Sequence, residues 1–463
     1  MKTEPQKTNK RNFLTSGGER FSYGLYFFGQ NIFFIFLYLY LSVYLTDVGI
    51  PALTVSAIAL AVKVWDAVND PLFGGIVDAV KLKKGKFLPW LRISLIAIPI
   101  ATILFFAIPS GVPLIVKIIW SVAAYVLWDT AYTICDVPIF GLVTVMTDNQ
   151  NERTTLMAIG RVTAMIATVI VYMGVPSVRA AIGGWLPTTI VLSVIAVITM
   201  VPICFTAKER ITPPQSEKGI TIKEMFRYLV HNKYLLIFYL ALFIANASNL
   251  GTILGMYFAR HCLGAESMQS VIALFGYLPA IVIGIFVPKI CKKVDKFTLY
   301  FWAVVASVVL GVIQYFTGYQ NQIVFFIMTF LRSIPLGITS ILTFMFTPDC
   351  AEYGQYKTGV NAAGITFSIQ TFSVKITTAV ATALGTLALA LIGFVEGEGA
   401  VQAAGFADRL WAVYSLVPVF GAALSLIVLR LYKLRDKDVQ IMAKCNAGEI
   451  SREQAEAELD GRY

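Results

Sequence analysis

Apolar residues in this chain come in long runs separated by short polar breaks. Runs near 21–46, 52–79, 87–109, 113–147, 154–178 and 184–206 are followed, after a polar break, by six more near 233–258, 267–289, 297–317, 322–348, 360–394 and 407–432. Each is as long as the ~20 residues that carry a helix across a bilayer. A helix satisfies its own backbone polar groups, which lipid demands and an open strand cannot do. The pattern therefore predicts an all-α, polytopic membrane protein of twelve spans. Residues 1–207 are expected to form a first six-helix bundle and 233–432 a second. Between them, 208–232 reads as a connector with Pro213, Pro214 and an amphipathic stretch from Ile220 to His231, and 433–463 reads as a polar tail.

Composition narrows the class. Of 463 residues, 57% are hydrophobic and 14% charged, and the mean hydropathy is +0.73. Soluble domains carry about 25% charged residues, so a cytosolic enzyme, a secreted disulfide scaffold and a disordered chain are all excluded. The net charge of +10 is not the footprint of a nucleic-acid partner, because the basic residues recur in short clusters between the runs. Lys81, Lys83, Lys84, Lys86, Lys289, Lys292, Lys293, Lys296 and the tail from Lys433 onward fall on one side. Arg179, Arg260 and Arg409 dominate the opposite loops. Basic loops stay inside, so both termini are expected in the cytoplasm and the chain in the plasma membrane, as a monomer. The six cysteines form no CxxC pair and read as free thiols. No phosphate loop follows a strand, and His231 and His261 make no metal pair, so neither an ATP motor nor an enzyme is expected.

A loose internal repeat adds topology. Gly75, Asp78 and Lys81 to Lys86 after the second run return after the eighth as Gly284, Lys289, Lys292, Lys293, Asp295 and Lys296. Two parallel six-helix halves are the pattern of major-facilitator transporters, with their site at the midplane.

The chemistry lies in charges placed inside the runs. Lys63, Asp66, Asp70, Asp129, Asp136, Arg161 and Lys375 are so placed, at about 2.5–3.5 kcal/mol each on insertion scales. Lys63, Asp66 and Asp70 share one helical face. Two carboxylates one turn apart repel unless a cation lies between them; Lys63, Na⁺ or a shared proton can each fill that role. Asn69 stands beside them, and Pro71 cannot donate to the carbonyl of Ala67, which frees that oxygen for a cation. Asp129, Thr133 and Asp136 share a face of the fourth run, where Pro138 frees the carbonyl of Ile134. A proton needs only one carboxylate, so the extra oxygens of Asn69 and Thr133 favour Na⁺.

Trp128, Tyr132 and Phe140 set flat apolar surfaces beside a carboxylate, the combination a sugar ring takes. Arg161 must face the interior. Lys375, closing the patch Gln370-Thr371-Phe372-Ser373-Val374-Lys375, reads equally as a ligand contact and as a tether to a carboxylate. The first run adds a polar notch of Tyr26, Gln30 and Asn31. Asp78, Lys84 and Lys86 after the second run, with Asp349 and Glu352 after the tenth, offer opposite charges that are expected to help close the cytoplasmic face.

These stretches resemble the glycoside–pentoside–hexuronide:cation symporters. The resemblance is carried by Trp65-Asp66-Ala67-Val68-Asn69-Asp70-Pro71, Gly74 to Asp78 with Gly85-Lys86-Phe87-Leu88-Pro89-Trp90, and Tyr132-Thr133-Ile134-Cys135-Asp136-Val137-Pro138. Asp349-Cys350-Ala351-Glu352-Tyr353-Gly354 and Gln370-Thr371 with Lys375 extend it into the second half. It implies a twelve-helix major-facilitator fold that moves a sugar with Na⁺, Li⁺ or H⁺ by alternating access, the coupling ion taking the place of any cofactor. The family's cation site falls on Asp66, Asn69, Asp70 and Thr133. Its sugar site falls on Asn31, Asp136, Phe140, Arg161, Gln370 and Lys375, with Phe140 where the melibiose carriers have tryptophan. Asn31, and Tyr26-Phe27 in place of an early Gly-Asp, argue against a melibiose-like galactoside. The alternative within the same fold is a lysolipid or other amphiphile:Na⁺ symporter.

Overall fold

The computed structural model describes residues 14–80, 85–147, 150–211, 232–359, 363–460 and 462. Among these there are sixteen helices and no strand. The first half of the sequence contributes α1 (Gly17–Asp47), α2 (Ala52–Ala79), α3 (Leu88–Phe105), α4 (Leu114–Met146), α5 (Gln150–Ile182), α6 (Trp185–Met200) and a single turn, α7 (Ile203–Thr206). The second contributes α8 (Lys233–Ala247), α9 (Gly251–Cys262), α10 (Met268–Ile290), α11 (Lys296–Thr317), α12 (Gln322–Thr358), α13 (Ala363–Leu391) and α14 (Phe406–Leu429), then α15 (Asp436–Asn446) and α16 (Arg452–Glu458). Ten helical stretches are long and apolar enough to cross a membrane, and the shorter Ala52–Lys63 and Met268–Gly284 supply the second and eighth. The expected twelve spans are all present. Large apolar side chains such as Ile96, Ile198 and Phe420 lie bare on helix surfaces, a liability in water and the ordinary condition in lipid.

Three features depart from the hydropathy pattern. The seventh run is two helices, α8 and α9, broken around Ser248, where Gly421 of α14 comes so close that a Cβ would lie 2.2 Å from the Cβ of Ser248. The tenth run continues past Pro348 as helix until Gly359, whose φ of +71° ends it in the left-handed cap that glycine favours. The polar tail folds into α15 and α16, because Val439, Met442, Ala455 and Leu459 have an apolar surface to cover, formed by Tyr234, Tyr353, Tyr356 and Tyr432.

The chain gathers into two compact units. One comprises residues 1–38, 64–171 and 182–217, the other 39–63, 172–181 and 218–463. In the first, Glu209 accepts from the backbone N–H of Lys86 at 2.6 Å and of Phe87 and Leu88 at 2.8 Å. A carboxylate thus covers the exposed donors at the start of α3. Gly85 makes room for it: its φ is +115°, and a Cβ there would meet the Glu209 carboxylate at 2.6 Å. The second unit repeats the device, with Asp436 accepting from Lys296 N at 3.0 Å where α11 begins. In each half, an acid after the sixth span caps the third, which gives the loose repeat a structural meaning.

Also in the first unit, Glu152 accepts from Leu14 N at 3.2 Å, Thr15 N at 2.8 Å, the Thr147 hydroxyl at 2.6 Å and the Thr15 hydroxyl. Burial alone would raise its pKa; the hydrogen bonds outweigh that and hold it below the ordinary 4.5.

Candidate functional site

Within the first unit, α4 carries two groups of polar contacts less than one turn apart. On one side it meets α2: Asn69 Nδ2 donates to Thr133 Oγ1 at 2.8 Å, and Thr133 Oγ1 donates to the Asp129 carbonyl at 3.1 Å. One turn below Asn69, the Trp65 indole donates to Thr130 Oγ1 at 3.1 Å, so α2 and α4 are pinned at two successive turns. Asp66, Asn69 and Thr133 are all buried. With the Asn69 nitrogen committed, its amide presents oxygen as the remaining ligand. Carboxylate, amide and hydroxyl oxygens are hard ligands. Among the described residues no group of three or more His, Cys, Asp or Glu could hold a metal.

On another side α4 meets α1. Gln30 Nε2 donates to Asp136 Oδ1 at 2.6 Å and to the Tyr132 hydroxyl at 3.1 Å. Both amide hydrogens are thereby used, and Gln30 is buried, with its Oε1 lacking a hydrogen-bond partner. Rings line the neighbourhood. Tyr132 stacks on Trp128, with centroids 5.1 Å apart and planes 11° apart, and Phe140 meets Phe27 edge-on at 5.3 Å. Phe27 in turn lies against Gly160 of α5, where a Cβ would sit 2.9 Å from the ring. Arg161 follows Gly160 and is exposed.

The expected residues fare differently. The structure brings Asn69 to Thr133 and sets Asp136, Phe140 and Arg161 around α1 and α5. Asn31 instead donates to the Phe27 carbonyl of its own helix at 2.8 Å, and its neighbour Gln30 makes the contact with Asp136. Adjacent residues point about 100° apart on a helix, so the notch was visible but not which of its members turns to α4. Gln370 and Lys375 stand half-buried on α13 in the second unit. The side chains of Asp70 and Asp78, and all of Lys84, lie outside the described residues, as do 212–231 of the connector. Of the expected gating charges, Lys86 lies over the Phe87 ring at 5.3 Å. Asp349 pairs with Lys296, and Glu352 accepts from Asn446 Nδ2 at 2.8 Å, within the second unit.

Buried oxygen donors and an aromatic-lined carboxylate inside a bundle of membrane-length helices are the arrangement of a transporter. The sequence matches the MFS/sugar transport protein family over residues 22–436, and the chain belongs to that family. It is 30% identical to a Bacillus subtilis (strain 168) protein named "Uncharacterized symporter YjmB", over 93% of this chain and 95% of that one. It is 26% identical to the isoprimeverose transporter of Lactiplantibacillus pentosus, over 95% and 93%. Among solved structures, the nucleoside transporter NupG superposes with a TM-score of 0.64 at 13% identity, covering 90% of this chain and 99% of that one. At that identity the likeness concerns the fold alone, the twelve-helix major-facilitator fold.

Proposed function

We propose that this chain is a sugar symporter that carries a glycoside or related sugar with a monovalent cation, Na⁺ in preference to H⁺ or Li⁺, by alternating access. The observation that supports it best is the sharing of α4. Thr133, joined to Asn69, and Asp136, held by Gln30, are three residues apart on one helix. A cation drawn to Asp66 and Asp70 relieves their repulsion and adds Thr133 Oγ1 to its shell. That draws α4 toward α2 and resets Asp136 for a sugar hydroxyl. Arg161 offers the complementary donor fork, and the rings of Tyr132, backed by Trp128, and Phe140 take the sugar's C–H face. Gln370 and Lys375 of α13 are the residues of the second half assigned to sugar binding. A relative named for isoprimeverose supports the substrate class. On this reading both termini lie in the cytoplasm and the carrier works as a monomer.

The test is uptake in proteoliposomes against a panel of glycosides, pentosides and uronides, with an imposed Na⁺ gradient. We expect accumulation that follows the Na⁺ gradient and is lost in Asp66→Asn, which retains sugar exchange. Accumulation indifferent to Na⁺ but abolished by a protonophore would transfer the cation site to a proton.

A further inference from the structure

Five charged groups meet in the second unit at the Cys262 end of α9. Arg260 donates to Asp47 through both Nη atoms, at 2.7 and 3.0 Å, and through Nε to Glu266 at 3.0 Å. Arg179 reaches Asp47 at 3.4 Å and also contacts Glu266 and Glu398. Two cations thus share three carboxylates, and each arginine touches at least two. The core of the cluster is dry: the side chains of Asp47 and Arg179 are 2% and 5% exposed, whereas Glu398 at the rim is 61% exposed. Backbone contacts continue the seam. Gly397 N donates to the Thr46 carbonyl at 2.9 Å, Glu398 N to the Asp47 carbonyl at 3.0 Å, and Ala52 N to Glu396 Oε1 at 3.0 Å.

The origin of these groups matters. Asp47 and Arg179 end α1 and α5 of the first half; Arg260, Glu266 and Glu398 come from α9 and from segments that join spans of the second half. On the orientation that the lysine distribution implies, this is the outer face. We propose that the cluster is the latch of an outer gate: the ends of α1, α2 and α5 must part from the second-half segments for sugar to enter, and Arg179 is the group that ties most of them together. The proposal rests on the alternating-access reading above. Charges are well suited to this task. Dry, they attract strongly; once water enters from the Glu398 rim, each ion is solvated and the attraction collapses. An apolar seam would instead expose hydrophobic surface each time the face opened.

The test uses a reporter cysteine below the latch. Ser42 is 1% exposed and lies five residues inside Asp47, so Ser42→Cys, in a background with the six native cysteines replaced, should react slowly with a membrane-impermeant maleimide applied outside. Arg179→Gln should speed that labelling about tenfold, as expected for loss of a charge-assisted hydrogen bond. Glu398→Gln, at the wet rim and harmless to folding, should speed it less, and Arg179→Lys should restore part of the closure. In parallel, Ser177→Cys with Ser270→Cys, whose hydroxyls now lie 3.2 Å apart, should allow a cross-link that stops uptake until reduced. A cross-link that blocks uptake while Arg179→Gln and Glu398→Gln both leave labelling unchanged overturns the latch alone. Uptake indifferent to the cross-link overturns the latch and the alternating-access reading together.

Discussion

The polar site of the first unit and the ionic cluster of the second both set charged groups among buried neighbours, but they are held in opposite ways. At the cluster, guanidinium groups meet carboxylates directly, so charge is cancelled where it stands. At the site, Asp136 is gripped by the neutral amide of Gln30, and Asn69 by the hydroxyl of Thr133. Neutral donors fix geometry without bringing a charge of their own, which is what a site that exchanges ligands needs. A region that holds helices together and a region that exchanges ligands should therefore respond differently to the loss of one carboxylate.

The sharpest break of this contrast is Asp136→Ala. We expect at least a hundredfold loss of sugar affinity, as sites built around buried polar groups show, with Na⁺ binding to the empty carrier and the unfolding temperature both preserved. Intact sugar affinity, or joint loss of sugar, cation and fold, would erase the distinction between the two regions. Asp47→Asn is the converse. It leaves two arginines short of a shared carboxylate, and breaking a buried pair costs about 3–5 kcal/mol, so a drop of several degrees in Tm is expected while sugar still binds. A smaller effect should follow Gln30→Ala, which removes the grip on Asp136 without touching its charge; about tenfold weaker sugar binding is expected, read by isothermal titration, and an unchanged Kd would show that Asp136 needs no support.

The smallest effect concerns pH. The pKa of Glu152 is lower in the folded state than its ordinary 4.5, so it contributes stability above that value, and the contribution is lost as pH falls through the lower, folded-state pKa. Tm measured from pH 6 down to pH 3 should fall less steeply in Glu152→Gln than in the parent. Equal slopes would mean that the hydrogen bonds from residues 14, 15 and 147 do not depend on its charge.

Much of this protein is decided locally. Hydropathy over a span is a property of consecutive residues, and lipid permits only one answer to it, so α2 was readable to its ends and the twelve spans were readable in order. The grouping of Thr133 with Asp136, and of Asp66 with Asn69, follows from helical pitch alone. Other features depend on how helices dock. Whether Gln30 or Asn31 turns to α4 is set by the rotation of α1, which packing such as Phe27 against Gly160 decides. Glu209 and Asp436 lie in the polar stretches that follow the sixth and twelfth spans, and they become helix caps only when the sixth span of each half returns beside the third. The latch is the extreme case. Its members at 47, 179, 260, 266 and 398 are scattered over five segments, each with the plain look of a charged loop end. Only the folded chain brings them within hydrogen-bond reach, because Coulomb attraction in a dry seam depends on distance in space and not on separation along the sequence.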